Sequence, residues 1–134
     1  ELDIAPYVKL LGPRTDVDYI LSVTDIYVGL STLQNIWSVI IVEAVSMKVP
    51  CILTKAGETD KYFSQYKDAV LIPIKSPTAL SYEMIKLLND QALRTTIANN
   101  AYKLLENHGF LSADKVVEDT INVYNIVLNG GKIV

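Results

Sequence analysis

One carboxylate stands apart in this chain of 134 residues. Glu43 is the only charge in the run Val39-Ile40-Ile41-Val42-Glu43-Ala44-Val45. A carboxylate on so apolar a segment is costly unless water or a partner satisfies it. Two readings follow: a glutamate solvated on a thin exposed strip, or one held by a partner. The polar residues before it, Ser31 to Asn35, form a loop leading into a helix that begins near Trp37. A helix start offers free backbone N–H groups and the positive end of the dipole, a natural seat for phosphate. Other chemistry is missing from the pattern. The sequence shows no metal-ligand cluster, no nucleophile with a paired base and no glycine-rich phosphate loop, so no catalytic residue and no metal site are assigned.

The elements that must position Glu43 alternate. Val8 to Leu11 is a short apolar run stopped by Gly12-Pro13 and reads as a strand. Asp16 is placed to cap a short helix carrying Val17, Ile20 and Leu21. Ile26 to Leu30 reads as a second strand, and Trp37 to Met47 is long enough for a helix of about three turns. Pro50 ends that helix. Cys51 to Thr54 and Ala69 to Ile74 are further strands, with a short helix or turn at Tyr62-Phe63 between them. Ser76-Pro77 opens a helix with Leu80, Met84, Leu87 and Leu88 on one face. Asp90 caps another, running to about Asn107 with Leu93, Ile97, Ala101, Leu104 and Leu105 as its stripe. A last helix runs from about Ser112 to Leu128. Short apolar strands alternating with helices predict an α/β fold, a parallel sheet covered on both faces. Ligands of open parallel sheets bind at the carboxyl ends of the strands, here the loops after Leu11, Leu30 and Leu53.

Half the residues are apolar and a fifth charged, which excludes a disordered segment. The net charge of −3 is scattered, without the basic stripe that nucleic acid requires. The single cysteine excludes an internal disulfide framework and fits a reducing compartment. The longest apolar stretch, Ile36 to Val45, is too short to span a bilayer. The mean hydropathy of +0.25 is high for a free-standing domain.

In order along the chain, Tyr7-Val8-Lys9-Leu10-Leu11-Gly12, Ser22 to Val28, Ser31, Val39 to Ala44 and Val49 to Thr54 resemble the donor domain of glycosyltransferase family four. The likeness continues through Ala69–Ile74, Pro77–Leu88 and His108–Tyr124. The resemblance implies the GT-B architecture, two Rossmann-like domains facing across a cleft. Residues 1–128 would be a donor-binding domain lacking its first strands, and 129–134 a tail. It implies a retaining transferase that moves a sugar from a nucleotide donor such as a UDP- or GDP-sugar to a glycan, glycolipid or glycoprotein, with no cofactor. The implied setting is the cytoplasm or the inner membrane face, with peripheral association through the full-length enzyme.

The family's signature is two glutamates with seven residues between them. The second, on the donor ribose, falls on Glu43 and the first, on the sugar, falls on Asn35. The intervening glycine-aromatic-glycine becomes Ile36-Trp37-Ser38, so both glycines are lost. By the same resemblance, Asn35, Ile36, Trp37, Ser38 and Val39 belong to the sugar and phosphates, and Gly12, Pro13 and Arg14 to the base. The family's early arginine and lysine, which neutralise the leaving phosphates, would precede Glu1, as would the acceptor-binding domain. Such a fragment alone is expected to transfer nothing. The departures at Asn35, Ile36 and Ser38 support an alternative, a non-catalytic interaction or regulatory module. A sugar phosphorylase or nucleotide-sugar epimerase is a third reading. Arg14 also reads as a surface residue, Trp37 as core, Cys51 as packing, and His108 as a helix-end cation; Lys55, Lys61 and Lys67 read as solvated surface.

In such sheets the strand order is 3-2-1-4-5-6. Val8–Leu11 would be the third strand and Ile26–Leu30 the fourth, with the strands between them outside this chain. Either another segment fills that gap, or Val8–Leu11 moves beside Ile26–Leu30.

Overall fold

In the computed structural model, which describes residues 3–33, 38–109 and 112–129, the apolar runs become a parallel sheet. Strand β1 is Tyr27–Gly29, β2 is Cys51–Thr54 and β3 is Val70–Ile72. They lie in the order β1-β2-β3, with Tyr27 opposite Cys51 and Ile52 opposite Val70. Parallel neighbours require a crossover. Helix α1 (Val17–Ser22) precedes β1, α2 (Val39–Ser46) carries the chain from β1 to β2, and α3 (Thr59–Tyr62) from β2 to β3. Helices α4 (Pro77–Asn89), α5 (Gln91–Asn107) and α6 (Ala113–Leu128) follow.

Side chains alternate across a strand, and both faces of this sheet are covered. Cys51, Leu53 and Leu71 pack with Leu21 of α1, Ile41, Ala44 and Val45 of α2, and Ala101 and Leu105 of α5. Ile52, Val70 and Ile72 pack on the other side with Leu87 of α4 and Ile97 of α5. Burial on both faces is why β2 and β3 read as unbroken apolar runs. The helix ends follow local chemistry. Asp90 accepts the Leu93 N–H at 2.8 Å, Ser112 accepts the Lys115 N–H at 3.2 Å, and Pro77 opens α4. The loop before β3 is tied to α4: the Tyr66 hydroxyl donates to Glu83 Oε1 at 2.7 Å, giving that buried carboxylate a partner.

The two sheet edges differ. At β3 the Leu71 N–H donates to Gln65 Oε1 at 2.5 Å, so the chain's own side chain closes that edge. The three residues of β1 are only half-buried. They border a shallow trench of about 440 Å³ lined by Leu11, Val17, Ile26, Val28 and Ile40.

Several expectations are corrected here. Val8 to Leu11 forms no strand, and Leu10 is 96% exposed. A strand needs neighbours to satisfy its backbone groups, and none is available at this position. Neither expected arrangement of the gap occurs: among the described residues no segment fills it, and Val8–Leu11 does not join β1. The helix expected from Trp37 to Met47 is described over Val39–Ser46, with Trp37 outside the described residues. Asp16 stands at the N-cap of α1 but caps nothing, because its carboxylate takes the Arg14 guanidinium instead (Nε–Oδ1 2.8 Å, Nη2–Oδ2 2.5 Å). Leu88 is more than half exposed and not part of the buried face of α4. Helix α6 buries none of its residues, and its exposed Val117, Ile121, Tyr124 and Leu128 go far to explain the high hydropathy.

Candidate functional site

The loops after Leu30 and Leu53 meet at the carboxyl ends of β1 and β2, where the rule for parallel sheets places a ligand. They enclose a cavity of about 320 Å³, with the start of α2 on one side. One buried hydroxyl holds the two loops together. Thr54, only 6% exposed, donates from Oγ1 to the Ser31 carbonyl at 2.5 Å. Ser31 in turn folds its own loop, its hydroxyl donating to the Leu33 carbonyl at 2.7 Å. Thr59 does the same across the cavity, donating to the Ala56 carbonyl at 2.7 Å.

Among the described residues no charged side chain lines this cavity. Its polar equipment is hydroxyls and the first turn of α2. Ser38 occupies the N-cap position, where its carbonyl accepts the Ile41 and Val42 N–H groups at 2.9 and 3.1 Å. Its side chain caps nothing, and among the described residues its buried Oγ has no hydrogen-bond partner. Val39 follows as the first helical residue with its side chain 74% exposed, so only its backbone is suited to a ligand here. Such a set of neutral donors suits oxygen-rich, anionic groups through dipoles and not through counter-charge.

Glu43 lies in the second turn of α2. Around the helix axis it is about 60° from Ile40 and about 160° from Ile41. Ile41 faces the cavity and Ile40 the trench beside β1, so Glu43 turns towards the trench side. It lines neither space, is half-buried, and its carboxylate makes no hydrogen bond or ion pair among the described residues. Gly12 and Arg14 line the same trench. Gly12 turns the chain with φ +63°, a backbone conformation that side chains disfavour. Pro13 is exposed beside it. Arg14 is already engaged by Asp16, whose carboxyl that guanidinium holds below its usual range. The structure thus gathers Gly12, Arg14 and the Glu43 face of α2 on one side of β1, and Ser38 on the other. Asn35, Ile36 and Trp37 lie outside the described residues.

The sequence reading did not single out Tyr27, Gly29, Thr54 or Thr59. The signal available was the strand-end rule, which named the loops but not the hydroxyls. Among the weaker candidates, Cys51 is fully buried and burial pushes its thiol up to about 12. His108 sits at the C-cap of α5, its ring 6.2 Å from that of Tyr62. Lys61 pairs with Glu58 at the surface. Among the described residues no three His, Cys, Asp or Glu side chains gather as metal ligands. No described helix is long and apolar enough to cross a membrane.

Known proteins carry the same pattern. The model of the family described as glycosyl transferases group 1 matches residues 1–104. N-acetyl-alpha-D-glucosaminyl L-malate synthase of Bacillus anthracis is 24% identical over 131 residues, covering 98% of this chain. This chain spans only 34% of that relative's length. Among solved structures, Anabaena Alr3699/HepE in complex with UDP-glucose superposes with a TM-score of 0.74 at 22% identity, over 87% of this chain and 32% of that one. A glycosyltransferase from Rickettsia africae gives 0.78 at 17% identity, over 90% and 32%. The C-terminal domain of a group 1 glycosyl transferase, LpcC from Francisella tularensis, gives 0.64 at 24% identity, over 75% and 51%. At these identities the structures establish a shared fold.

Proposed function

This chain belongs to the group 1 glycosyl transferases, and on that premise we propose that it is the donor-binding part of a larger retaining glycosyltransferase. In this reading residues 1–128 hold a nucleotide sugar, and residues 129–134 are a tail. A preceding acceptor-binding domain completes the enzyme, which passes the sugar to a glycan, glycolipid or glycoprotein. It works in the cytoplasm or at the inner membrane face. The observation that carries the reading is the uncharged cavity at the carboxyl ends of β1 and β2, closed by the start of α2.

The chemistry follows from what the cavity offers. The diphosphate and sugar of the donor lie against the first turn of α2, where the N–H groups of Val39 and Ile40 and the Ser38 hydroxyl donate to oxygen. On the trench side, Glu43 accepts from the ribose hydroxyls, and Gly12, Pro13 and Arg14 border the base. A carboxylate with two acceptor oxygens suits a vicinal diol. Asn35, Ile36 and Trp37 complete the sugar side, with Asn35 supplying a neutral amide where the family has a carboxylate. The main task in transfer is to stabilise charge building on the leaving phosphates. Among the described residues no lysine or arginine lines this cavity, and in this reading that positive charge comes from elsewhere in the full-length enzyme. The acceptor then attacks the face from which the nucleotide diphosphate departs, which retains the anomeric configuration.

The neutral Asn35 and the lost glycines favour one other reading, a non-catalytic glycosyltransferase-like interaction or regulatory module. The two are separated on the full-length protein by titrating nucleoside diphosphates and then screening donor sugars for turnover. Binding with turnover supports the enzyme and rejects the module, whereas absence of turnover with every donor rejects the enzyme and favours the module.

A further inference from the structure

Among the described residues Tyr27 alone lines both the cavity and the trench, and so stands between them. It owes this position to Gly29. Residues 27 and 29 share a face of β1, and Gly29 leaves open the space above the strand end. A Cβ built on Gly29 would stand 3.3 Å from Tyr27 Cε1 and 3.6 Å from its hydroxyl oxygen. The side chain therefore runs forward along the strand, over the glycine, and carries its hydroxyl to the carboxyl end of the sheet. Gly29 itself lines the cavity at that point. The Tyr27 hydroxyl makes no hydrogen bond among the described residues, whereas the hydroxyls of Ser31, Thr54 and Thr59 are each committed to a backbone carbonyl. Together with the buried Ser38 Oγ, it is, among the described residues, a donor without a partner in a cavity lined by no charged side chain.

We propose that Tyr27 is a ligand-contact residue, its phenol donating a hydrogen bond to an oxygen of the diphosphate–sugar portion of the bound donor. The inference rests on the donor-binding reading above and extends it to a residue outside the loop and helix. Half-burial raises the phenol's pKa, so the group stays protonated, and a donor, throughout the neutral range. The aromatic ring at this position also packs against the buried cluster around Cys51 and Leu53. Packing alone would therefore be met equally well by phenylalanine, and only the hydroxyl distinguishes the two roles.

The test is Tyr27→Phe in the full-length protein, read by calorimetric titration with UDP and with UDP-glucose beside a melting curve. The expected result is an unchanged melting temperature and an affinity about three- to tenfold weaker, the loss of one hydrogen bond. Weakening with UDP puts the acceptor oxygen on the phosphates, and weakening with UDP-glucose alone puts it on the sugar. Gly29→Ala supplies a second arm: its Cβ would stand 2.9 Å from Leu53 Cδ2 and 3.3 Å from Tyr27 Cε1, so it presses on both side chains while leaving the hydroxyl intact, and it should weaken binding together with a lowered melting temperature. Wild-type affinity in a folded Tyr27→Phe protein overturns the proposal and leaves the donor reading standing. If Tyr27→Phe does not fold, wild-type affinity in Gly29→Ala overturns it. GDP and GDP-glucose replace the uridine pair if the wild type binds only guanosine nucleotides, and a wild-type protein that binds neither UDP nor GDP overturns both.

Discussion

Thr54→Val removes one oxygen and almost no volume, yet it should loosen both the fold and the cavity. The Thr54 hydroxyl is buried and donates at 2.5 Å to the Ser31 carbonyl, across 23 residues of chain. Valine keeps the shape but leaves that carbonyl without its donor. A lost hydrogen bond with a partly buried orphan acceptor costs about 1–3 kcal/mol. For a domain of this size the unfolding entropy is roughly 0.28 kcal/mol/K, so the melting temperature should fall by about 4–11 °C. Thr54→Ser keeps the hydroxyl and loses only a methyl group, and should recover most of the loss. Thermal unfolding followed by circular dichroism reads the stability. Amide hydrogen exchange at Ser31 to Leu33 reads the loop, whose protection should drop in the valine variant before that of β2 and β3. A valine variant that melts with the wild type, or a serine variant that melts below the valine one, would refute the claim that this hydroxyl joins the two loops.

Three further outcomes are expected. Cys51 should resist thiol reagents in the folded protein and react on unfolding; because burial raises its thiol to about 12 in the folded protein, above its ordinary value, its contribution to stability is complete below about pH 9 and is lost as pH climbs towards 12, which denaturant titrations across that range will show. In the isolated chain the amides of β1 should exchange faster than those of β2 and β3, and association should rise with concentration, since no strand among the described residues pairs with the outer edge of β1; equal protection in all three strands at micromolar concentration would contradict this. Asn35→Glu in the full-length protein should change donor-sugar preference or turnover and leave nucleoside diphosphate affinity alone; the reverse pattern would move Asn35 off the sugar.

What could be read from the sequence was whatever local chemistry or continuous burial decides. Cys51–Thr54 and the apolar run around Val70–Ile72 announced buried strands because both of their faces are covered. Asp90 and Ser112 announced helix starts because each cap lies within three residues of its partner. Val8–Leu11 has the same apolar character, but a strand exists only through neighbours, and pairing is not a local property. Asp16 was legible as a cap position but not as a cap, since Arg14 two residues earlier offers a charged competitor. At the site, the strand-end rule located the loops after Leu30 and Leu53. It could not show that Thr54 reaches Ser31, nor that Gly29 makes room for Tyr27, because both depend on how two strands align. Glu43 was visible as an isolated charge, and its turn towards the trench follows from helical geometry once Ile40 and Ile41 are placed.

The central claim, that this chain holds a nucleotide-sugar donor with Glu43 on the ribose, is tested most directly by calorimetric titration of the full-length protein with UDP and GDP, wild type beside Glu43→Ala. The account predicts saturable binding of one of them by the wild type, and a loss of about 1–3 kcal/mol, roughly five- to two-hundred-fold in Kd, in a Glu43→Ala protein that melts normally. No binding by the wild type, or equal affinity in the two proteins, would contradict it.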